Sequence, residues 1–336
     1  MRAVIVKDGK GPIENLYIGE IEKPSPGNSE VLVQIKAFGL NRMDISQRNG
    51  YYPPPPGAPD TLGVEFSGIV TELGEGAGKR WKVGDEVIGL AGGGAYAEFI
   101  RLYETHLMPK PKHLTWEEAA SIPENFLTAY QALIVLAQLK KGEDVLVHAG
   151  ASGVGLAAIQ LARLYEAKTV TATTSNKEKI DYLLQIPSGA THGVNYKTQD
   201  FAAEVKGITD GKGVDVIIDF VGRTHWHKNI DSLARDGRMI ILAVLSGKDV
   251  DHLDIGQILY KRLRIEGSTL RSRSAEYQAD LIARFEKDIL GEITNSSGNG
   301  KVRTYVHQVF PLENIQEAHR TMEADKNIGK LIVTIP

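Results

Sequence analysis

The chain has 336 residues, 42% of them hydrophobic, and a formal net charge of -3, so it can bury a substantial core and most simply forms two domains. Its mildly acidic balance, pI about 6.3, gives no electrostatic reason to expect nucleic acid or an anionic membrane surface as the main partner. The absence of cysteine excludes disulfides, thiolate metal ligands and a cysteine nucleophile.

The first residues, Met1 to Val6, alternate like a strand and lack the apolar region of a signal peptide. No apolar run is long enough to cross a bilayer, so a soluble cytoplasmic protein is expected. Glu30 to Ala37, Gly63 to Val70 and Val83 to Ile88 read as further strands joined by tight turns, which predicts a compact β domain. Taken singly, the glycines there are turn residues. Tyr51 and Tyr52 precede a run of four prolines, the one low-complexity tract.

An apolar stretch, Val145 to Val147, is followed by His148-Ala149-Gly150-Ala151-Ser152-Gly153-Val154-Gly155 and then by an amphipathic segment, Leu156 to Tyr165. This predicts a strand, a phosphate-gripping turn and a helix. Glycines let the backbone approach a pyrophosphate, whose charge is held by the free amides and the positive end of the helix dipole. Gly150, Ala151, Ser152, Gly153 and Val154 are the candidate contacts. Because the glycine spacing departs from the G-x-G-x-x-G form, the neighbouring elements must carry the reading. They do: Thr169 to Thr174, Gly193 to Tyr196, Val214 to Phe220, Arg238 to Ala243 and Leu263 to Ile265 alternate with helical patterns. That order predicts a Rossmann-type, doubly wound parallel sheet in an α/β protein.

The end of the second strand of such a sheet selects the cofactor, because a carboxylate there binds a ribose 2′-hydroxyl and repels a 2′-phosphate. No acid lies between Ala167 and Lys177. Thr173, Thr174, Ser175, Asn176 and Lys177 offer hydroxyls, an amide and a positive charge instead, which favours NADPH. A purely local reading has Ser175 and Lys177 capping and solvating the next helix. Pro187 must end that helix early, leaving a long link from Leu184 to Gly189. Asp219, a lone acid in an apolar strand, is expected to anchor backbone amides. Ala275 to Leu290 and Glu313 to Ala324 have helical spacing, and Lys330 to Ile335 alternates as a closing strand.

Asn41-Arg42-Met43-Asp44, Tyr51 to Gly57, Leu62-Gly63-Val64-Glu65, Trp81 to Asp85, Ile122-Pro123-Glu124, Leu127-Thr128-Ala129, His148-Ala149-Gly150 and Asn195-Tyr196-Lys197 are similar to motifs of the NADPH:quinone oxidoreductases of the medium-chain dehydrogenase/reductase superfamily. The resemblance spans nearly the whole chain. It implies a GroES-like β-rich catalytic domain over 1–126, an NADP-binding Rossmann domain over 127–266, and a return over 267–336 that completes the first, with the active site in the cleft. It further implies Asn41 and Thr128 beside the nicotinamide, Tyr52 at the acceptor, and Lys177 and Tyr196 at the 2′-phosphate. Val221, Gly222, Ala243 to Leu245 and Asn327 would line the cofactor. Each has a local alternative: Asn41 and Asn327 as turn residues, Tyr52 as a surface aromatic braced by prolines.

Zinc-dependent relatives ligate a catalytic metal with a cysteine and with the histidine of a Gly-His-Glu motif. Here the triplet is Gly63-Val64-Glu65, and the four-cysteine structural lobe is missing, so no metal is expected. Without a Lewis acid the site suits a quinone or conjugated carbonyl, which spreads incoming charge over its own π system. The resemblance also implies a homodimer paired across the Leu263 to Ser268 edge strand. Two other activities stay open: an NADPH-dependent 2-alkenal or enone reductase on the same fold, and a non-enzymatic, crystallin-like or RNA-binding role.

Overall fold

A computed structural model describes all 336 residues, which form two compact units, Met1–Leu127 with Leu270–Pro336 and Thr128–Thr269. The divisions fall one and three residues beyond the expected 126/127 and 266/267.

The first unit begins with an antiparallel pair, β1 (Arg2–Val6) and β2 (Leu16–Glu20). Next come β3 (Glu30–Gly39), helix α1 (Arg42–Arg48), β4 (Glu65–Leu73), β5 (Glu86–Leu90), β6 (Phe99–Tyr103) and β7 (Leu107–Pro109). Two of these strands start later than their apolar pattern suggests. Gly63 has φ +93° and Gly84 φ +95°, conformations that belong to turns, and the Asp85 carboxylate accepts the Lys82 amide at 2.9 Å. The turn therefore consumes Val83 to Asp85. Helices α2 (Trp116–Ala120) and α3 (Pro123–Tyr130) follow, α2 opened by a reciprocal Thr115/Glu118 capping box.

The second unit alternates strand and helix after a π-helical turn at Gln131–Leu136: β8 (Asp144–Val147), α4 (Gly153–Leu164), β9 (Thr169–Thr174), α5 (Lys177–Gln185), β10 (His192–Asn195), α6 (Phe201–Ile208), β11 (Val214–Asp219), α7 (Trp226–Ser232), β12 (Leu233–Ile241), α8 (Ile255–Lys261) and β13 (Arg264–Gly267). The sheet order is β10-β9-β8-β11-β12-β13 with every pairing parallel, the doubly wound arrangement whose switch point lies between β8 and β11. All six residues of β9 are buried, as a strand covered on both faces requires. Helix α5 stops at Gln185, two residues before Pro187. Strand β13 is an edge, paired only with β12. No helix is long and apolar enough to cross a membrane.

The chain then returns to the first unit through α9 (Ala275–Asp288), the short pair β14 (Ile293–Thr294) and β15 (Val302–Arg303), β16 (Val306–Pro311), α10 (Ile315–Glu323) and β17 (Lys330–Thr334). Strand β17 pairs antiparallel with β3, giving the sheet order β16-β17-β3-β4-β5-β7, with β6 also on β3. Its core gathers Phe38, Phe66, Tyr96, Phe310 and Val333 from both ends of the sequence.

Candidate active site

In the second unit, Ser152 caps α4 by accepting the Gly155 amide at 3.0 Å, and the Ser152 carbonyl accepts Leu156 N–H at 2.9 Å. The Gly153 and Val154 amides begin the helix with no carbonyl one turn behind them, so they are available to an anion. The turn also requires its glycines. A Cβ on Gly155 would stand 2.4 Å from the Ala149 carbonyl oxygen, and one on Gly150 would stand 2.8 Å from Ala172 Cβ. Gly150 N–H donates to the Thr173 carbonyl at 3.0 Å, which ties the turn to the end of β9. Ala151 is buried.

The end of β9 differs from expectation at both threonines, whose hydroxyls are buried and already bonded within the protein. Thr173 does not offer its hydroxyl to a ligand: the residue is fully buried and its Oγ1 lies 2.8 Å from His148 Nδ1. Thr174, also buried, accepts the Asn176 amide at 3.3 Å and donates to the Asn176 carbonyl at 3.1 Å. Asn176, rather than Ser175, caps α5 by accepting Lys179 N–H at 2.9 Å. Lys177 is 84% exposed and ion-paired with Asp181 one turn on. Tyr196 is held beside this strand end by its amide, which donates to the Thr174 carbonyl at 3.1 Å, and its ring stands 5.4 Å from that of His225.

At the switch point, the Asp219 carboxylate accepts the Val221 and Gly222 amides at 2.8 and 3.1 Å, the anchoring role expected of it. Gly222 has φ +78°. The loop containing Ala243 to Leu245 closes on this one: Leu245 N–H donates to the Phe220 carbonyl and Ser246 N–H to the Val221 carbonyl. Beneath them His148 bridges Thr173 and Asn229, its Nε2 2.7 Å from Asn229 Oδ1. Burial lowers its pKa to about 4, so the ring is neutral at physiological pH. Thr128 is half-buried in α3.

In the first unit, Asn41 is the cap residue before α1, and its backbone amide donates to Asp44 Oδ2 at 2.8 Å. Its side chain is also committed. Nδ2 donates to Glu65 Oε1 at 2.9 Å and Oδ1 accepts from Lys330 Nζ at 2.9 Å. Lys330 donates to the Leu40 carbonyl at 2.7 Å and closes an ion pair with Glu65, both side chains buried. The second Glu65 oxygen accepts Glu124 N–H at 2.9 Å. Val64, next to Glu65, is fully buried and apolar. Nowhere do three side chains of the histidine, aspartate or glutamate type converge in a way that could hold a metal ion.

A second buried chain runs from α1 to α10. Arg48 Nη1 lies 3.0 Å from His319 Nδ1; a guanidinium can only donate, so Nδ1 accepts and the ring proton sits on Nε2. That nitrogen lies 3.4 Å from the Tyr96 hydroxyl, which donates to Asp44 Oδ2 at 3.0 Å. Burial, against Asn41, Tyr96, Lys330 and Arg271, raises the Asp44 pKa to about 6, and burial lowers that of His319 to about 3. Tyr52 is half-buried with the Arg271 guanidinium over its ring, 5.6 Å from the centroid. Asn327 donates Nδ2 to the Gly329 carbonyl at 2.7 Å, shaping the turn that delivers Lys330. Sequence reasoning passed over Arg271, Lys330 as an ion-pair partner and the Arg48–His319 pair; their partners lie 179 to 290 positions away, so no local pattern announces them.

Residues 27–112 match the family of the alcohol dehydrogenase GroES-like domain, and residues 153–287 match the family described as zinc-binding dehydrogenase. Among curated relatives, quinone oxidoreductase 1 of Escherichia coli is 33% identical over 96% of this chain and 96% of its own length. The synaptic vesicle membrane protein VAT-1 homolog of Danio rerio is 32% identical over 93% of this chain, which spans only 65% of that protein. Three solved structures each superpose with a TM-score of 0.84: an NAD-dependent alcohol dehydrogenase at 33% identity, covering all of both chains; the JamJ enoyl reductase at 31%, covering 100% of this chain and 99% of that one; and the E. coli quinone oxidoreductase complexed with NADPH at 30%, covering 99% of each. With these relatives matched over nearly its entire length, the chain belongs to the medium-chain dehydrogenase/reductase superfamily and to its oxidoreductase branch, the α/β fold of a GroES-like domain joined to a Rossmann-type sheet.

Proposed function

We propose that the protein is an NADPH:quinone oxidoreductase that works without a catalytic metal. The observation that carries this reading is the donor set around Glu65. The position of a metal-binding imidazole in zinc-dependent relatives is a buried valine, both oxygens of the neighbouring glutamate are engaged by Lys330, Asn41 and Glu124, and the chain has no thiolate. A site of this composition offers no Lewis acid to polarise a simple ketone, which favours an acceptor that delocalises the incoming charge itself.

The cofactor's place follows from the glycine turn. Gly150 and Gly155 let the turn pack tightly against Ala172 and the Ala149 carbonyl, which presents the Gly153 and Val154 amides as donors for a pyrophosphate. When bound, the nicotinamide would supply a hydride equivalent. Asn41 and Thr128 are assigned beside it, Tyr52 at the acceptor, and Val221, Gly222, Ala243, Leu245 and Asn327 along its length. Ser175, Asn176, Lys177 and Tyr196 would receive the 2′-phosphate, with Lys177 exchanging Asp181 for the ligand. The E. coli quinone oxidoreductase carrying NADPH supports that choice, while the NAD-dependent alcohol dehydrogenase is equally close in fold.

Purified protein is expected to oxidise NADPH in the presence of 1,2-naphthoquinone faster than with a 2-alkenal. Preference for the alkenal would favour the second reading, double-bond reduction, which rests on the enoyl reductase similarity. Failure with every conjugated acceptor would favour a non-enzymatic role. A cytoplasmic homodimer is part of the same proposal: β13 is an edge strand with one side unpaired, and Ile255, Leu259 and Tyr260 on α8 are exposed. Light scattering should give twice the chain mass.

A further inference from the structure

Arg271 is 4% exposed, yet one of its terminal nitrogens, Nη1, has no hydrogen-bond partner. The rest of the guanidinium is fixed. Nε donates to the Gly92 carbonyl at 2.7 Å and Nη2 to Gln47 Oε1 at 2.7 Å, and Gln47 is itself held, donating Nε2 to the Asp60 carbonyl at 2.8 Å. Two anchors define the plane of the fork, so the third nitrogen cannot turn toward bulk water. A buried donor left unmade is costly, and more so when it is charged. Asp44 and Glu124 are near enough to feel the charge, but neither bonds Nη1. Asp44 spends Oδ2 on Asn41 and Tyr96 and keeps a buried, unpartnered Oδ1 of its own. The face of Tyr52 lies against the same guanidinium.

The geometry points to Arg271 Nη1 as the receptor for the oxygen of a flat ligand seated at Tyr52, and to carbonyl or phenolate oxygen, which carries full or developing negative charge, as the chemical class it selects. The assignment deepens the quinone reading: it rests on that reading for placing Tyr52 at the acceptor, and it names the residue that recognises the acceptor's oxygen. An aromatic platform and a fixed cation recognise a flat anion together, the ring by stacking and the cation by a charge-assisted hydrogen bond.

The probe is para-nitrophenolate, compared with the uncharged isostere para-nitroanisole, titrated calorimetrically into the full chain above neutral pH without nicotinamide. Wild type should bind the phenolate about tenfold or more tightly than the anisole, the range for a hydrogen bond to a charged group. Arg271→Met should abolish the preference and Arg271→Lys should restore part of it, with melting temperature reporting on folding. Should Arg271→Met not fold, Gln47→Leu, which keeps the guanidinium but removes its Nη2 anchor along with the Asp60 contact, should shrink the preference several-fold. Equal binding of the two probes by wild type, or a preference unchanged in either variant, overturns the assignment. Because no turnover is measured, phenolate selectivity without NADPH oxidation would sink the quinone reading and leave Arg271 as an oxygen receptor. Quinone turnover with no such selectivity would do the reverse.

Discussion

Replacing Lys330 by methionine tests the buried network around Asn41 most directly. The lysine uses all three of its donors, on Glu65, the Leu40 carbonyl and Asn41 Oδ1. Methionine keeps much of the volume and removes the charge, so Glu65 remains as a buried carboxylate with only two neutral donors, Asn41 Nδ2 and Glu124 N–H. Removing one partner of a buried ion pair costs about 3–5 kcal/mol, a large fraction of the roughly 5–15 kcal/mol that holds a domain together. Removing both charges with Lys330→Met and Glu65→Gln should return much of that loss, because no uncompensated charge remains.

The assay is urea unfolding followed by tryptophan fluorescence. Trp81 and Trp116 lie in the first unit and Trp226 in the second, so a Trp226→Phe background reports the first unit alone. The reasoning is refuted if Lys330→Met costs less than about 1 kcal/mol, the worth of an ordinary exposed pair, or if the double variant is no more stable than the single one.

Three further outcomes are expected. Asp181→Asn frees Lys177 from its exposed ion pair and should lower KM for NADPH, while Lys177→Ala should raise KM for NADPH far more than for NADH; equal effects on both cofactors contradict the phosphate role. Gly155→Ala, whose Cβ would press on the Ala149 carbonyl, should abolish nucleotide binding measured by quenching of protein fluorescence. For Asp44 the folded pKa is raised, from 3.8 to about 6, so the folded state binds more protons in that window and stability falls as pH rises through it, by about 3 kcal/mol in all. Asp44→Asn should flatten this fall in denaturation midpoints measured between the two values, and a slope unchanged from wild type would show that another group titrates there.

What the sequence makes legible is what short-range physics controls. The turn after β8 is visible because its glycines, although not in the G-x-G-x-x-G spacing, lie directly between an apolar run and a segment of helical period. Helix α5 ends where Pro187 demands. The strand starts at Glu65 and Glu86 were harder, because apolar residues in a glycine turn look like strand until φ is known. Apart from Asp219, whose partners are two and three residues away, the buried charges were not legible. Arg271 lies between Leu270 and Ser272 in a segment rich in serine and arginine, and its burial is decided by Gln47 and Gly92, far away along the chain. Thr173 shows the opposite failure: its type suits a phosphate, but His148 claims the hydroxyl first.

The pairing of β17 with β3 has a consequence for synthesis. A ribosome releases every strand of the parallel sheet by the time Gly267 emerges, whereas the first unit must wait for Lys330 to Thr334 before β3 gains its neighbour and Glu65 its cation. The inserted unit can therefore mature while the flanking one is still held open, its sheet edge and buried acid exposed to chaperones and proteases, and loss of β17 would harm strands that lie on the far side of the parallel sheet in the chain.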